Sequence, residues 1–450
     1  MDWLREFAGR RVTLMGLGRF GGGVGAARFL ARRGAVVTVT DLAPEQALVE
    51  SIQQLEHAAI ARFRLGEHYP EDFESAELIV ASPAVLPGNR FLEIARQHGV
   101  PVVTELSLFV ANCPATIVGV TGSYGKSTTA ALLAAVLTQS HRSTGFRRCW
   151  LGGNIGGSLL DDVEQMQSDD VVVLELSSAQ LHYLDELQWS PAGALVTSFS
   201  PNHLDWHRTT DAYRRAKQSI LRWQKPADFA ILNGMAAEPG DWETLGQCSR
   251  VVEPHRASGE TPLVGPHFAI DASLAILAAE KLGVTADDIS AGLRSFRGLR
   301  HRLEFVGEHR GKRFFNDSKA TTPEASIAAL NAFDSPVLLL AGGSSKGVDL
   351  RQFAEVIHQR TSAVALMGET ADELRCHLQK RREQHGPGAK VFSSQSLREA
   401  FQWLASQSRS GDVILLSPGC ASFDWFRNYE DRGDQFCRLV EQFATTKVPN

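Results

Sequence analysis

Cysteine is scarce and scattered: the six residues at 113, 149, 248, 376, 420 and 437 contain no C-x-x-C pair. That argues against a disulfide framework and a zinc site and fits a reduced cytoplasm. Positive charge is not in excess, since the formal net charge is −5. Without a basic footprint, nucleic acid is not expected as a partner, whereas a small anionic ligand needs only local positive charge. No apolar run reaches about 18 residues, the length that spans a bilayer. The N-terminal M-D-W-L-R-E-F-A-G-R-R also lacks an apolar core of signal-peptide length. Neither export nor membrane insertion is expected. There is no internal repeat and no low-complexity run, so neither a solenoid nor a disordered tail organises the chain.

What is present is an ordinary globular composition, 43% hydrophobic and 22% charged over 450 residues. At about 150 residues per domain this suggests three domains with ample core. The chain is organised around Ile117 to Leu132, I-V-G-V-T-G-S-Y-G-K-S-T-T-A-A-L. A β-branched run enters a turn with Gly119, Gly122 and Gly125; Lys126, Ser127 and Thr128 then open an alanine- and leucine-rich helix. Such a strand-loop-helix lets backbone N–H groups and the helix N-terminus converge on phosphate oxygens, with the lysine on the outer phosphates and a hydroxyl on magnesium. The strict G-x-x-x-x-G-K-S pattern requires glycine where Val120 stands, so this is a variant of the phosphate loop. An ordinary tight turn leaves Lys-Ser-Thr unexplained.

Before this loop, alternating strands and helices fill roughly the first 110 residues, with strands at 11–15, 36–40, 78–81 and 101–103. G-L-G-R-F-G at 16–21, followed by Asp41 at the end of the second strand, is the pattern of a dinucleotide-binding unit. Alone it is weak, and it does not say which nucleotide-like ligand binds. After the loop, the strand V-V-V-L ends in Glu175, which places a carboxylate at the carboxyl end of a parallel sheet, where a second magnesium ligand is plausible. His203 and Asp205 follow the strand at 194–197 in the same topological position. Lys217, in Y-R-R-A-K, reads by itself as a solvated helix lysine. The stretch 235–266 is rich in Gly, Pro and Glu and reads as a loop or short irregular sheet, followed by a helix over 269–282. A third α/β unit begins near Leu299, with a strand pair around 303–306 and 312–315, Pro323 opening a helix, and strands at 337–341, 363–367 and 413–417.

Nine motifs in this order resemble the Mur ligase family, and within it the members that add D-glutamate. They are G-S-Y-G-K-S-T, G-G-N-I-G, E-L-S-S-A-Q-L, N-H-L-D, Y-R-R-A-K, G-L-R-H-R-L-E, N-D-S-K-A-T, G-G-S-S-K-G-V-D and L-S-P-G-C-A-S-F-D. The resemblance covers essentially the whole chain. It implies a three-domain α/β fold: a Rossmann-like UDP-substrate domain (1–111), a central P-loop ATPase-like domain with a mostly parallel sheet (112–298), and a Rossmann-like amino-acid domain (299–450). It also implies an ATP-dependent amide ligase of peptidoglycan precursor synthesis, a cytoplasmic monomer acting on UDP-N-acetylmuramoyl-L-alanine and D-glutamate.

Residue by residue, the resemblance assigns Arg19, Phe20 and Asp41 to the uracil end, and Asn154, Ser177 and Gln180 to the muramoyl substrate. Gly122, Ser123, Gly125, Lys126, Ser127 and Thr128 hold ATP phosphates, with Arg302 and Asp317 also on ATP. Two magnesium ions take Ser127, Glu175, His203 and a carbamylated Lys217, and Lys319, Thr321, Lys346, Ser422 and Phe423 bind D-glutamate. Lys126, His203, Lys217, Lys319 and Arg302 form the catalytic set. The pattern departs from the family at Tyr124, Phe268 and Asp271, where the family usually has asparagine. Two alternatives accompany this reading: a related Mur-type ligase using another amino acid, and a non-catalytic nucleotide-binding relative.

Overall fold

The structure, a computed structural model, describes all residues except 19–20, 141–143, 201–202, 234–241, 243–248, 254–265, 346 and 446–450. Three α/β sheets follow one another along the chain. The first comprises β1 (Arg11–Met15), β2 (Val36–Asp41), β3 (Ile60–Leu65), β4 (Leu78–Ala81) and β5 (Val102–Val103), all parallel, in the order β3-β2-β1-β4-β5. The crossover helix Gly22–Arg32 buries Val24, Ala26, Ala27, Phe29 and Leu30 against it. Strand order reverses between β1 and β4, and a parallel sheet opens a crevice at the carboxyl ends of the strands at such a point.

The second sheet is also parallel: β6 (Thr116–Thr121), β7 (Cys149–Gly153), β8 (Val171–Glu175), β9 (Gly193–Val196), β10 (Phe229–Asn233) and β11 (Ser249–Glu253), ordered β11-β10-β9-β6-β8-β7. Every residue of β8 is buried, as expected of a central strand covered on both faces. Within the stretch 235–266, expected to be a loop or short irregular sheet, the strand at 249–253 pairs parallel with β10. The helix expected over 269–282 runs from Pro266 to Lys281.

The third sheet orders β12 (Glu304–His309), β13 (Lys312–Asn316), β14 (Val337–Gly342), β15 (Thr361–Met367), β16 (Lys390–Ser393) and β17 (Val413–Leu416) as β12-β13-β17-β14-β15-β16. Only the β12–β13 pairing is antiparallel. Its two-residue loop, Arg310-Gly311, has φ of +56° and +68°, the signature of a hairpin turn whose twist matches the strands. Alternate residues divide between two cores: Phe315, Leu339, Val364 and Leu415 pack on one face, Phe314, Leu338, Ala363 and Ile414 on the other.

The chain divides into two compact units, Met1–Ala257 with Ile270–Gly292 and Ser258–Ala269 with Leu293–Asn450. The first two sheets therefore share one unit, and one core joins Leu14, Phe29 and Leu108 to Leu160, Val172 and Leu181. Asp161 accepts hydrogen bonds from Arg28 and, at 3.2 Å, from Arg32 beside this core, while Arg33 pairs with Glu164 at 3.1 Å.

Asp170, fully buried at the start of β8, accepts hydrogen bonds from Arg147 Nη2 (2.6 Å), Trp150 Nε1 (2.9 Å) and Gln167 N (3.1 Å). Burial pushes this carboxyl up, but the bonds from Arg147, Trp150 and Gln167 outweigh it and hold it below the ordinary range. Replacing it by alanine removes the acceptor of the buried Trp150 Nε1 and of Gln167 N, and leaves Arg147 Nη2 with Gln165 O at 3.0 Å. Asp170→Ala is therefore expected to cost about 2–4 kcal/mol in urea unfolding at neutral pH. Because the native carboxyl lies below its unfolded value of about 3.9, the stabilisation is complete above that pH and disappears as pH falls through the native value. The wild-type and mutant midpoints should converge only in that acid range.

Candidate active site

The turn after β6 owes its shape to two glycines. A Cβ at Gly122 would lie 2.0 Å from Thr197 Oγ1, and one at Gly125, whose φ is +84°, would lie 2.4 Å from Asp271 Oδ1. Gly125 caps the helix Lys126–Gln139, leaving its first N–H groups directed at the turn. The loop between them is pinned by hydroxyls from the end of the neighbouring strand. Tyr124 N donates to Ser198 Oγ at 2.8 Å, Tyr124 O accepts from Ser198 Oγ at 2.7 Å, and Ser123 Oγ donates to Ser200 O at 2.8 Å. The Tyr124 ring is left exposed. Lys126 Nζ donates to Ser123 O at 3.3 Å, Ser127 is buried and Thr128 half-buried.

Beneath the loop, Lys217 Nζ donates to Gly122 O at 2.7 Å and Thr121 Oγ1 at 3.3 Å, and the residue is 1% exposed. It sits on Thr210–Arg222 with Tyr213, whose ring lies 4.9 Å from Nζ and whose hydroxyl reaches Ser123 Oγ at 3.0 Å. Burial, reinforced by the charge of Lys126 and opposed by Glu175, lowers the Lys217 pKa well below the ordinary lysine value. The sequence alone suggests a solvated lysine here; the structure corrects that.

Glu175, at the end of β8, is 1% exposed; Oε1 accepts from Asn154 Nδ2 at 3.0 Å, and buried Oε2 has no hydrogen-bond partner among the described residues. A buried, unpaired carboxylate oxygen is the kind of donor a hard divalent cation takes. No group of three or more His, Cys, Asp or Glu is placed to hold a metal among the described residues. His203 is exposed with φ +51°, its ring 6.2 Å from that of Tyr213.

Asn154 also borders a cavity of about 360 Å³ at the switch point of the first sheet. The turn Gly16 to Gly18, Ser82, Glu105, Ser158 and Gln180 complete much of its wall. Asp41 serves this turn: Oδ2 accepts from Gly18 N at 3.0 Å and Oδ1 from Ala43 N at 2.8 Å. Ser177 and Gln180 cap the helix Ser178–Glu186 reciprocally, with Gln180 Oε1 accepting from Ser177 N at 2.9 Å. Arg19 and Phe20 lie outside the described residues.

In the second unit, Asp317 Oδ2 accepts from Ser417 Oγ at 2.7 Å and Oδ1 from Leu303 N at 3.1 Å. Burial pushes its carboxyl up to about 7, against these bonds and the charges of Arg302 and Arg432. Arg302 and Lys319 are exposed, and Lys319 Nζ stands 5.4 Å from the Tyr429 ring centre. Ser422 is buried, whereas Phe423 is 73% exposed, with its N donating to Ser344 Oγ at 3.0 Å. Thr321, Ser344, Ser345, Thr370 and Cys420 border one small cleft. Lys346 lies outside the described residues. The residue sequence reasoning missed is Arg432. Fully buried, it donates to Ser318 Oγ (2.9 Å), Ser318 O (2.8 Å), Ala421 O (3.0 Å) and Cys420 O (3.2 Å), joining the loops that carry Lys319 and Ser422. Burial lowers its pKa to about 10. The only hint was an arginine in the amphipathic pattern of the last helix, which reads as solvent-facing.

The chain matches three family models: the Mur ligase MurD-like N-terminal domain over residues 10–104, the Mur ligase middle domain over 120–253, and the Mur ligase glutamate ligase domain over 301–420. It is 39% identical to the UDP-N-acetylmuramoylalanine--D-glutamate ligase of Roseiflexus sp. (strain RS-1), covering 98% of this chain and 100% of that protein. It is 36% identical to the enzyme of the same name from Anaeromyxobacter dehalogenans (strain 2CP-C), covering 98% and 99%. Among solved structures it resembles the UDP-N-acetylmuramate-alanine ligase MurC of Thermotoga maritima, with a TM-score of 0.57 at 19% identity, covering 97% and 100%. It also resembles the MurF ligase of Thermotoga maritima in complex with ADP, with a TM-score of 0.52 at 16% identity, covering 98% and 97%. At those identities the likeness shows the fold.

Because a methyl at Gly125 collides with Asp271 and its φ disfavours any other residue, Gly125→Ala distorts the turn without touching the core. The variant is expected to keep its circular dichroism and lose MgADP affinity by more than about 10-fold in titration calorimetry, the scale of a misplaced phosphate cradle.

Proposed function

The chain belongs to the Mur ligase family, and from that premise we propose that it joins D-glutamate to UDP-N-acetylmuramoyl-L-alanine at the expense of ATP, through an acyl phosphate, in the cytoplasm. The observation that carries the reading is the arrangement under the phosphate loop: Lys126 above, the unpartnered Glu175 oxygen beside it, and a buried Lys217 whose proton is weakly held. We take the domain limits as 1–111, 112–298 and 299–450.

A carboxylate is a poor acyl donor because its oxygen leaves badly. The alanyl carboxylate of the nucleotide substrate therefore attacks the γ-phosphorus of ATP, and ADP leaves. Both reactants are anions, so positioning and charge stabilisation supply most of the rate. Lys126 and the N–H groups at Gly125 to Ser127 hold the phosphates, and Arg302 and Asp317 are assigned to the nucleotide. Ser127, Glu175, His203 and Lys217 would hold magnesium, which when bound neutralises the facing anions. Lys217 fits this role only after its neutral amine has added carbon dioxide and released a proton, which turns a cation into a carbamate. Its lowered pKa favours that neutral amine.

Asn154 ties Glu175 to the cavity at the first sheet, so the group that presents a carboxylate to the metal also borders the space assigned to the UDP-muramoyl substrate. The D-glutamate amine, once deprotonated, attacks the acyl carbon, and the tetrahedral intermediate collapses to amide and inorganic phosphate. Lys319, Thr321, Lys346, Ser422 and Phe423 are assigned to the amino acid, the cations and hydroxyls answering its two carboxylates.

Phosphate release should require ATP, magnesium, UDP-N-acetylmuramoyl-L-alanine and D-glutamate, and should vanish in Lys126→Ala. Release with another member of a panel of D- and L-amino acids would keep the ligase and move its specificity. ATP binding without turnover on any acceptor would replace it with a non-catalytic nucleotide-binding role. In bicarbonate-depleted buffer, activity should fall and return on adding bicarbonate.

A further inference from the structure

Asp271 is placed where an acid is costly. It lies on the helix Pro266–Lys281, is 7% exposed, and presses Oδ1 against Gly125, the N-cap of the phosphate-loop helix. Oδ1 also accepts a hydrogen bond from Thr129 Oγ1 at 3.2 Å, one turn into that helix. Lys126 is the one ionisable residue of the facing helix, and its Nζ donates to Ser123 O. On its own helix, His267 stands four residues before it, about one turn away, and Glu280 and Lys281 stand at the far end, more than two turns away. A carboxylate in this position sets a negative charge beneath the amides that must receive phosphate oxygens, whereas a neutral carboxyl has the shape of asparagine and no such charge. Burial already raises its pKa to about 7, with the Thr129 bond working the other way.

We propose that Asp271 is a proton-linked determinant of nucleotide affinity: the phosphate loop binds its anion with Asp271 protonated, so that binding from neutral or alkaline solution draws one proton onto this carboxyl. The inference rests on the reading that the loop holds ATP phosphates. The balance is one proton taken from buffer, added to the Asp271 carboxylate, and returned when the nucleotide leaves. As pH rises above the free-state value the carboxylate must be reprotonated before binding. Affinity then falls, by at most about tenfold per pH unit.

The test is titration of the full chain with MgADP between pH 6 and pH 8.5, in buffers of differing ionisation heat, for wild type and Asp271→Asn. The asparagine variant preserves shape and the Thr129 contact and subtracts protons taken up by the ligand or by Lys217. The wild type should take up more protons than the variant at pH 8, approaching one, and its affinity should fall severalfold more steeply between pH 7 and pH 8. The variant should then bind more tightly than wild type at pH 8.5 and about equally at pH 6. Equal proton uptake and parallel affinity profiles in the two proteins, with MgADP bound, would overturn this proposal alone. No MgADP binding by either protein at any pH would overturn the phosphate-loop reading and this proposal with it.

Discussion

Two lysines share the space around one phosphate loop, and the rest of the central domain is arranged to make that tolerable. Lys126 faces the turn, while Lys217 is sealed beneath it, donating to a backbone carbonyl and a threonine rather than to a carboxylate. Desolvation of a second cation this close to the first favours its neutral form. Glu175 pulls the other way, yet its oxygens point to Asn154 and to an unpartnered buried position rather than into an ion pair. The outcome is an amine biased toward its neutral form beside a buried carboxylate, the pairing that the proposed carbamate at Lys217 requires.

The parallel sheets dictate where this chemistry occurs. In the first two, β1 and β6 both end in glycine-bearing turns at the carboxyl edge, and each is followed by a helix whose N-terminus faces that edge. Because those sheets share a core, the cavity at the first and Glu175 at the second are bridged by a single side chain, Asn154. The third sheet solves the positioning problem differently. Its functional loops follow β13, β14 and β17, and the buried guanidinium of Arg432 collects carbonyls from two of them while Ala421 O accepts from Ser344 N of the third. An arginine without a hydrogen-bonded carboxylate, satisfied by carbonyls, fixes loop geometry and retains its charge.

Much of this was legible from residue patterns. Buried parallel strands such as V-V-V-L-E announce themselves by uninterrupted apolar runs, and Gly-Lys-Ser after such a strand leaves few other meanings. Edge strands did not: I-A-R-F-R-L at β3 exposes Ala61, Arg62 and Phe63 in succession and shows no clean alternation, because only one neighbour constrains it. The strand at 249–253, outermost in its sheet, falls in a polar stretch that read as a loop or short irregular sheet. Lys217 was misread from local pattern alone, since helical spacing says nothing about a loop nearly a hundred residues away settling over its side chain. Phe268, one of the departures from the family pattern, is buried with its ring stacked at 14° on Phe296. Ser177 and Gln180 were expected to touch substrate, and their first task is to cap a helix.

Three carboxyl groups are pushed up to about 7 by burial, and each of the three domains contains one: Glu105, Asp271 and Asp317. Each stands next to a region assigned to an anion, Glu105 and Asp271 on helices and Asp317 just after β13. Glu105 borders the cavity of the first domain and accepts from Ser158 Oγ at 2.6 Å, Asp271 backs the phosphate loop, and Asp317 precedes Lys319. An acid beside a phosphate or carboxylate is repulsive when ionised and a hydrogen-bonding partner when neutral, so an anion-binding fold can keep such residues only by withholding water from them. All three carboxyls take hydrogen bonds from hydroxyl groups, Ser158, Thr129 and Ser417, and none is hydrogen-bonded to a lysine or arginine side chain in the described contacts. A hydroxyl can turn to accept as readily as it donates. The same hydroxyl can therefore serve the neutral acid and the anion, and the proposal for Asp271 draws on that tolerance.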